Sequence, residues 1–188
     1  MSKLKNKKLW LIVGIFLVIL ILLFVFVFRK TDGMANDRKV RIYYQVHTKD
    51  GWSKYAVGGL ISGDEKTVIN GVNIKNKSRY KGEVYIRTYT NGKWNTDCFE
   101  KEKCTYKQNI KGIKVALGET LGKKNDVYYR VHTQTGKWLS WVYNGESAGL
   151  KDSYIDAIQI KIVPKFAYLP DYIKNYKNVE ENTNNLEE

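Results

Sequence analysis

The residues of this chain best placed to do chemistry are two histidines, two cysteines and a recurring set of aromatic and basic side chains. His47 and His132 close matching motifs, Ile42-Tyr-Tyr-Gln-Val-His47 and Val127-Tyr-Tyr-Arg-Val-His132, and Tyr89 holds the same place in a third, Val84-Tyr-Ile-Arg-Thr-Tyr89. Groups related by a repeat are held apart by it, so the histidines do not form a catalytic pair. No nucleophile motif, no carboxylate pair of recognisable spacing and no glycine-rich phosphate loop accompanies them. The expectation is no enzyme, no cofactor, no metal, and histidines that are structural or face solvent. Cys98 and Cys104 are too widely spaced for a Cys-x-x-Cys redox motif, and a zinc site would need both histidines as well. A Cys98–Cys104 disulfide is expected instead, in an oxidising compartment, closing a short loop at a gain of about 2 kcal/mol.

Binding is the chemistry that remains. Tyr43, Tyr85 and Tyr128 recur beside Gln45, Arg87 and Arg130, and aromatic rings next to cations suit acidic glycans, stacking on sugar faces while pairing with anionic groups. The competing reading is that this row packs beneath a neighbouring strand layer. Trp52, Trp94 and Trp138 recur in every unit and are therefore expected in the core. Trp141 lies three residues beyond Trp138, an odd offset that turns it to the opposite face of an extended strand, outward if Trp138 is buried. The candidate ligand-binding residues are Trp141, Tyr128, Arg130, Tyr43, Tyr55 and Asn144, with the third unit the first place to look and the second, held by its cysteines, the last.

The elements that must position these residues form a repeat. The tryptophans at 52, 94 and 138 are 42 and 44 residues apart, and each unit closes on a small residue followed by alternating aliphatics: Gly71-Val-Asn-Ile74, Gly112-Ile-Lys-Val115 and Ala157-Ile-Gln-Ile160. The apolar period is two, with Gly, Asn and Asp between runs, so each unit reads as three or four antiparallel strands. A unit of this size cannot bury a core alone, and three copies invite closure around a shared one. The expected fold is all-β, a pseudo-threefold domain of three antiparallel β-repeats, β-prism-like or alternatively a β-trefoil, behind one N-terminal transmembrane helix. The repeat domain covers 40–163, in copies 40–82, 83–126 and 127–163, and an extension over 164–188 is expected to pack back near 166–173 before a disordered acidic tail.

The third copy carries a further likeness in Tyr129-Arg-Val-His-Thr-Gln-Thr-Gly-Lys-Trp138, Trp141-Val-Tyr-Asn-Gly145, Ala148-Gly149 and Ala157-Ile-Gln-Ile160. It resembles the clostridial hydrophobic (ChW) repeat. In the first copy Tyr55, Gly58-Gly59 and Ser62-Gly63 stand at the matching offsets, and in the second Asp97 replaces the aromatic and Cys98 to Cys104 fills the turns. The resemblance covers about two thirds of the chain. It implies a surface module of Gram-positive bacteria that binds polymers or proteins, with no catalytic residues to carry over.

Residues 1–8 hold four lysines and no acid, and Leu9 to Phe28 is an uncharged run of twenty residues, long enough to cross a bilayer. These features predict a cytoplasmic tail, a transmembrane helix over 9–28 and a tether over 29–39, with cleavage after Ala35 as the alternative. Residues 29–176 carry 27 basic against 15 acidic side chains, which points to polyanions outside the membrane and away from nucleic acid. The reading is thus a membrane-anchored extracellular binding module, its partner an anionic or neutral cell-envelope glycan or a surface protein. The alternative is a structural subunit of an envelope complex such as a secretion or conjugation apparatus.

Overall fold

The computed structural model describes residues 16–21, 40–167, 169, 173 and 186. The chain forms two units, Met1–Asn36 and Asp37–Glu188. In the first, residues 16–21 are helical and expose their apolar side chains. The rest of the expected transmembrane helix over 9–28, and the tether over 29–39, lie outside the described residues. No helix among the described residues is long and apolar enough to cross a membrane.

The second unit is almost entirely β. The first copy supplies β1 (Ile42–Thr48), β2 (Gly51–Trp52), β3 (Ala56–Val57), β4 (Ile61–Gly63) and β5 (Gly71–Asn76). The second supplies β6 (Val84–Thr90), β7 (Lys93–Trp94), β8 (Cys104–Thr105) and β9 (Gly112–Leu117), and the third β10 (Asn125–Thr133), β11 (Lys137–Trp138), β12 (Val142–Tyr143), β13 (Ala148–Gly149) and β14 (Ile155–Pro164). The copies therefore hold five, four and five strands, the first and third one more than expected from the sequence, because the short two-residue pairings carry too little periodicity to be read. A one-turn helix, Glu119–Lys124, joins the second and third copies and buries Leu121.

Opening and closing strands pair antiparallel in every copy, β1 with β5, β6 with β9 and β10 with β14. Their period of two sends Tyr44, Val46, Val84, Ile86, Val127, Tyr129 and Val131 into one core with the aliphatics of the closing strands. The strand before the closing strand of each copy leaves home. β4 pairs with β14, β8 with β5, and β13 with β9, so each copy lends a strand to another and the loans form a closed cycle. At its centre three isoleucines form a closed ring of backbone hydrogen bonds. Ile69 N–H donates to Ile155 O at 3.0 Å, Ile110 N–H to Ile69 O at 2.9 Å, and Ile155 N–H to Ile110 O at 2.9 Å. All three side chains are fully buried, and they stand two residues before Gly71, Gly112 and Ala157, the small residues of the closing strands.

Two buried phenols extend the same exchange. Tyr44 donates to Leu60 O and accepts from Ile160 N–H of the third copy at 3.0 Å. Tyr129 donates to Glu146 O and accepts from the backbone N–H of Val115 in the second copy. Burial pushes the Tyr129 phenol well above its ordinary range. The second copy has Ile86 at this place and reaches the first through Lys101 N–H, which donates to Ile74 O at 2.9 Å.

The register that the sequence hides in the second copy becomes plain here. Cys98 faces Ile86 as Ala56 faces Tyr44 and Val142 faces Tyr129. Cys104 faces Val72 as Ser62 faces Ile158 and Ala148 faces Ile113. The expected disulfide joins them, with Cα atoms 6.0 Å apart, and stands where the other copies have small or aliphatic residues.

Candidate functional site

Each recurring tryptophan sits on a short hairpin strand directly across from the last residue of its motif: Trp52 from His47, Trp94 from Tyr89, Trp138 from His132. The rings meet edge to face at 5.0, 5.2 and 5.4 Å. On the other side of each motif residue lies Gly71, Gly112 or Ala157. The small residue is needed there, since a Cβ on Gly71 would come within 2.8 Å of the His47 Cβ. This corrects the expected core placement of the tryptophans, which are half-buried on the outer face. Hairpin register decides it: directly opposed residues share a face, and residues 47, 89 and 132 face outward with 43, 85 and 128.

A cation lies over every one of these indoles. Lys103 Nζ is 5.5 Å from the Trp52 ring centre, Lys114 Nζ 4.7 Å from Trp94, and the Arg130 guanidinium carbon 4.7 Å from Trp138. The three cations come from unequal positions. Arg130 is on its opening strand, Lys114 on its closing strand, and Lys103 just before β8, on a loop the second copy extends to the first.

The six candidate binding residues do not behave alike. Trp141 is only 3% exposed, against the outward placement expected for it, and Tyr128 only 8%, packed as the competing reading of its row has it, though under the C-terminal extension and not a strand layer. They form a small second core with Val163, Ala167, Leu169 and Ile173, where the C-terminal extension packs back. The odd offset does not turn Trp141 outward, because Trp138 is not buried and residues 139–141 do not continue its strand. Arg130 is caught between Trp138 and Trp141, 4.9 Å from the latter, and its Nε donates to Gln159 Oε1 at 2.9 Å. Asn144 is a turn residue at φ 44° whose Oδ1 accepts from Val127 N–H at 3.0 Å, while its Nδ2 donates to Asp126 Oδ1 at 2.8 Å. Its side chain is committed to holding the turn.

The first copy keeps its face open. Tyr43 and Tyr55 meet edge to face at 6.5 Å, Tyr55 is 38% exposed, and Lys75 Nζ lies 4.5 Å over the Tyr55 ring. Below them, buried Asn73 accepts from the Tyr55 hydroxyl at 2.7 Å and donates to Glu102 O. In the second copy Asp97 takes the place of Tyr55 and pairs with Arg87 through hydrogen bonds of 2.8 and 3.2 Å. The Asp97 carboxylate raises the Arg87 guanidinium further above its already high range, and Tyr85 packs edge to face with Phe99 at 5.6 Å.

The histidines are held by neighbours within their own copies. His47 Nδ1 lies 2.7 Å from Asn70 Oδ1, and buried His132 Nδ1 lies 2.6 Å from Asp156 Oδ1. Among the described residues one group, Cys98, Glu102 and Cys104, gathers possible metal-ligating atoms, but its sulfurs are joined in the disulfide and offer no thiolate. No family model, curated protein or solved structure matches this chain.

Proposed function

We propose that the β unit is a binding module for an anionic cell-envelope glycopolymer, carried on the outer surface of a membrane by the apolar segment 9–28. One observation carries this reading: the half-buried tryptophan of every copy lies beneath a cation, and each copy recruits that cation from a different position. A fold requirement would be met the same way three times. A requirement for charge beside an exposed aromatic edge can be met from any nearby position, as it is here. Such a pair suits a polymer of sugar rings and acid groups, one part stacking and the other pairing with the cation. The excess of basic side chains over residues 29–176, 27 against 15, would draw the polymer in and make binding fall as salt rises.

The closed cycle of strand loans and the isoleucine ring support a pseudo-threefold, β-prism-like arrangement of the copies, with one tryptophan–cation pair in each. The test is retention of the full chain, in detergent micelles, on a poly(glycerol phosphate) or polygalacturonate column and on neutral dextran. Retention by the acidic polymers alone, lost at high salt, is expected. Equal behaviour on all three columns would end this reading, as would capture in intact cells of a discrete protein partner in place of polymer.

A further inference from the structure

The first copy's own strands cannot place a cation over Trp52. Where the third copy has Arg130 the first has Gln45, and where the second has Lys114 it has Asn73. The missing charge arrives from outside. Lys103 belongs to the second copy, on the loop closed by Cys98–Cys104, and its counterparts, one residue before Ser62 and Ala148, are Ile61 and Ser147.

That loop is fastened to the first copy at several points. Cys104 pairs with Val72 and Thr105 with Gly71, Lys101 N–H donates to Ile74 O at 2.9 Å, and Glu102 O accepts from Asn73. Asn73 is also the residue that receives the Tyr55 hydroxyl. The loop thus supports the same amide that fixes the exposed tyrosine. Of the loop's two carboxylates, Glu102 accepts Phe99 N–H at 2.9 Å and Glu100 lies 3.9 Å from Lys101 Nζ, while Lys75 and Lys103 stand over the Tyr55 and Trp52 rings. Of the three faces, the second is closed by Arg87–Asp97 and by Phe99 on Tyr85, and the third lies under Ala167, Leu169 and Ile173.

We infer that the principal ligand site is composite: Tyr43, Trp52, Tyr55 and Lys75 of the first copy, completed by Lys103 on the disulfide-closed loop of the second, taking a glycan that bears carboxylate or phosphate groups. The inference rests on the polyanion reading above. The disulfide then serves the site as a positioning element. It holds the loop that brings Lys103 over Trp52 and supports Asn73 under Tyr55, and its reduction weakens binding without removing any group that touches the ligand.

Affinity for poly(glycerol phosphate) and for polygalacturonate, measured at low salt on the full chain in micelles, tests it. Tyr55→Ala and Lys103→Ala are each expected to weaken binding about 10-fold. Lys123→Ala, an equal loss of charge on the Glu119–Lys124 helix, is expected to stay within about 2-fold of the parent. Reduction of the disulfide, with the β fold verified by circular dichroism, should lower affinity at least as far as Lys103→Ala does. If the parent binds neither polymer, the polyanion reading and this one fall together. If the parent binds but Tyr55→Ala and Lys103→Ala bind as it does, or Lys123→Ala loses as much as they do, the composite site alone is overturned. Should reduction unfold the domain, the two alanine variants decide. A loss on only one polymer identifies the polymer the site prefers and supports the proposal.

Discussion

The outer faces of the first and third copies begin from nearly the same residues and end in opposite states. Tyr43 and Tyr55 in the first correspond to Tyr128 and Trp141 in the third, yet the first pair is open and the second is buried beneath Ala167, Leu169 and Ile173. The third copy has the larger aromatics, which makes it the obvious site from sequence. Large aromatics are also what a chain terminus needs for docking. What covers a residue comes from elsewhere in the chain, so the repeat cannot show whether its aromatics serve a ligand or the protein itself.

The largest expected effect tests that contrast directly. Trp141→Ala should cost about 3–5 kcal/mol in urea unfolding, the range for removing a buried aromatic, whereas Tyr55→Ala should cost about 1 kcal/mol, since it loses one hydrogen bond and a partly exposed ring. Because Trp141 and Ile173 share one small core, their alanine variants should be clearly non-additive. Equal costs for Trp141 and Tyr55, or full additivity with Ile173, would show that the third face is not closed as described.

Next in size is the disulfide. Reduction should lower stability by about 2 kcal/mol, the entropy of a short closed loop in the unfolded chain. The loss should reach beyond the second copy, because the loop is hydrogen-bonded to β5 of the first. Hydrogen exchange that quickens at Val72 and Ile74 on reduction would show this. Quickening confined to 98–104 would mean that the loop is only a local staple.

The repeat, the strand period, the all-β fold and the disulfide were all legible, because each rests on spacing along one strand or within one short loop. The direction of the tryptophans was also within reach. Each stands opposite a residue whose outward parity was already assigned, and hairpin register puts both on one face. Three things were not. The lent strands β4, β8 and β13 are two or three residues long, too short for a period to declare a partner. The isoleucine ring depends on three backbone groups that no side-chain pattern records. Burial of Trp141 depends on a terminal segment that lies outside the repeat altogether.

A smaller effect separates the phenols that bridge copies from their counterpart in the second. Tyr129→Phe should cost about 1–2 kcal/mol, by leaving Glu146 O and Val115 N–H short of a partner. It should also change the response to alkali. Burial raises the folded-state pKa of Tyr129 above the ordinary 10.0, so its contribution is fully present below pH 10 and falls as pH rises beyond, when the unfolded chain ionises and the folded one does not. The slope from this one proton is at most about 1.4 kcal/mol per pH unit. Unfolding free energies from pH 9 to 11 should therefore fall less steeply in Tyr129→Phe than in the parent, and parallel slopes would contradict the buried hydrogen-bonded phenol.

The smallest effect belongs to the face that is neither open nor covered. Arg87 and Asp97 close the second copy with a side-on ion pair at 2.8 Å whose side chains remain 45% and 33% exposed, so water and salt screen most of its attraction. Asp97→Ala should cost less than about 1 kcal/mol, and the difference should vanish in about 1 M salt. The substitution also frees the Arg87 guanidinium, adding a positive charge where the pair had none. If charge beside aromatics is what the domain offers a polyanion, Asp97→Ala should bind poly(glycerol phosphate) more tightly than the parent, even as it folds slightly less stably. Binding and stability moving down together would instead mean that the second face matters only through the fold.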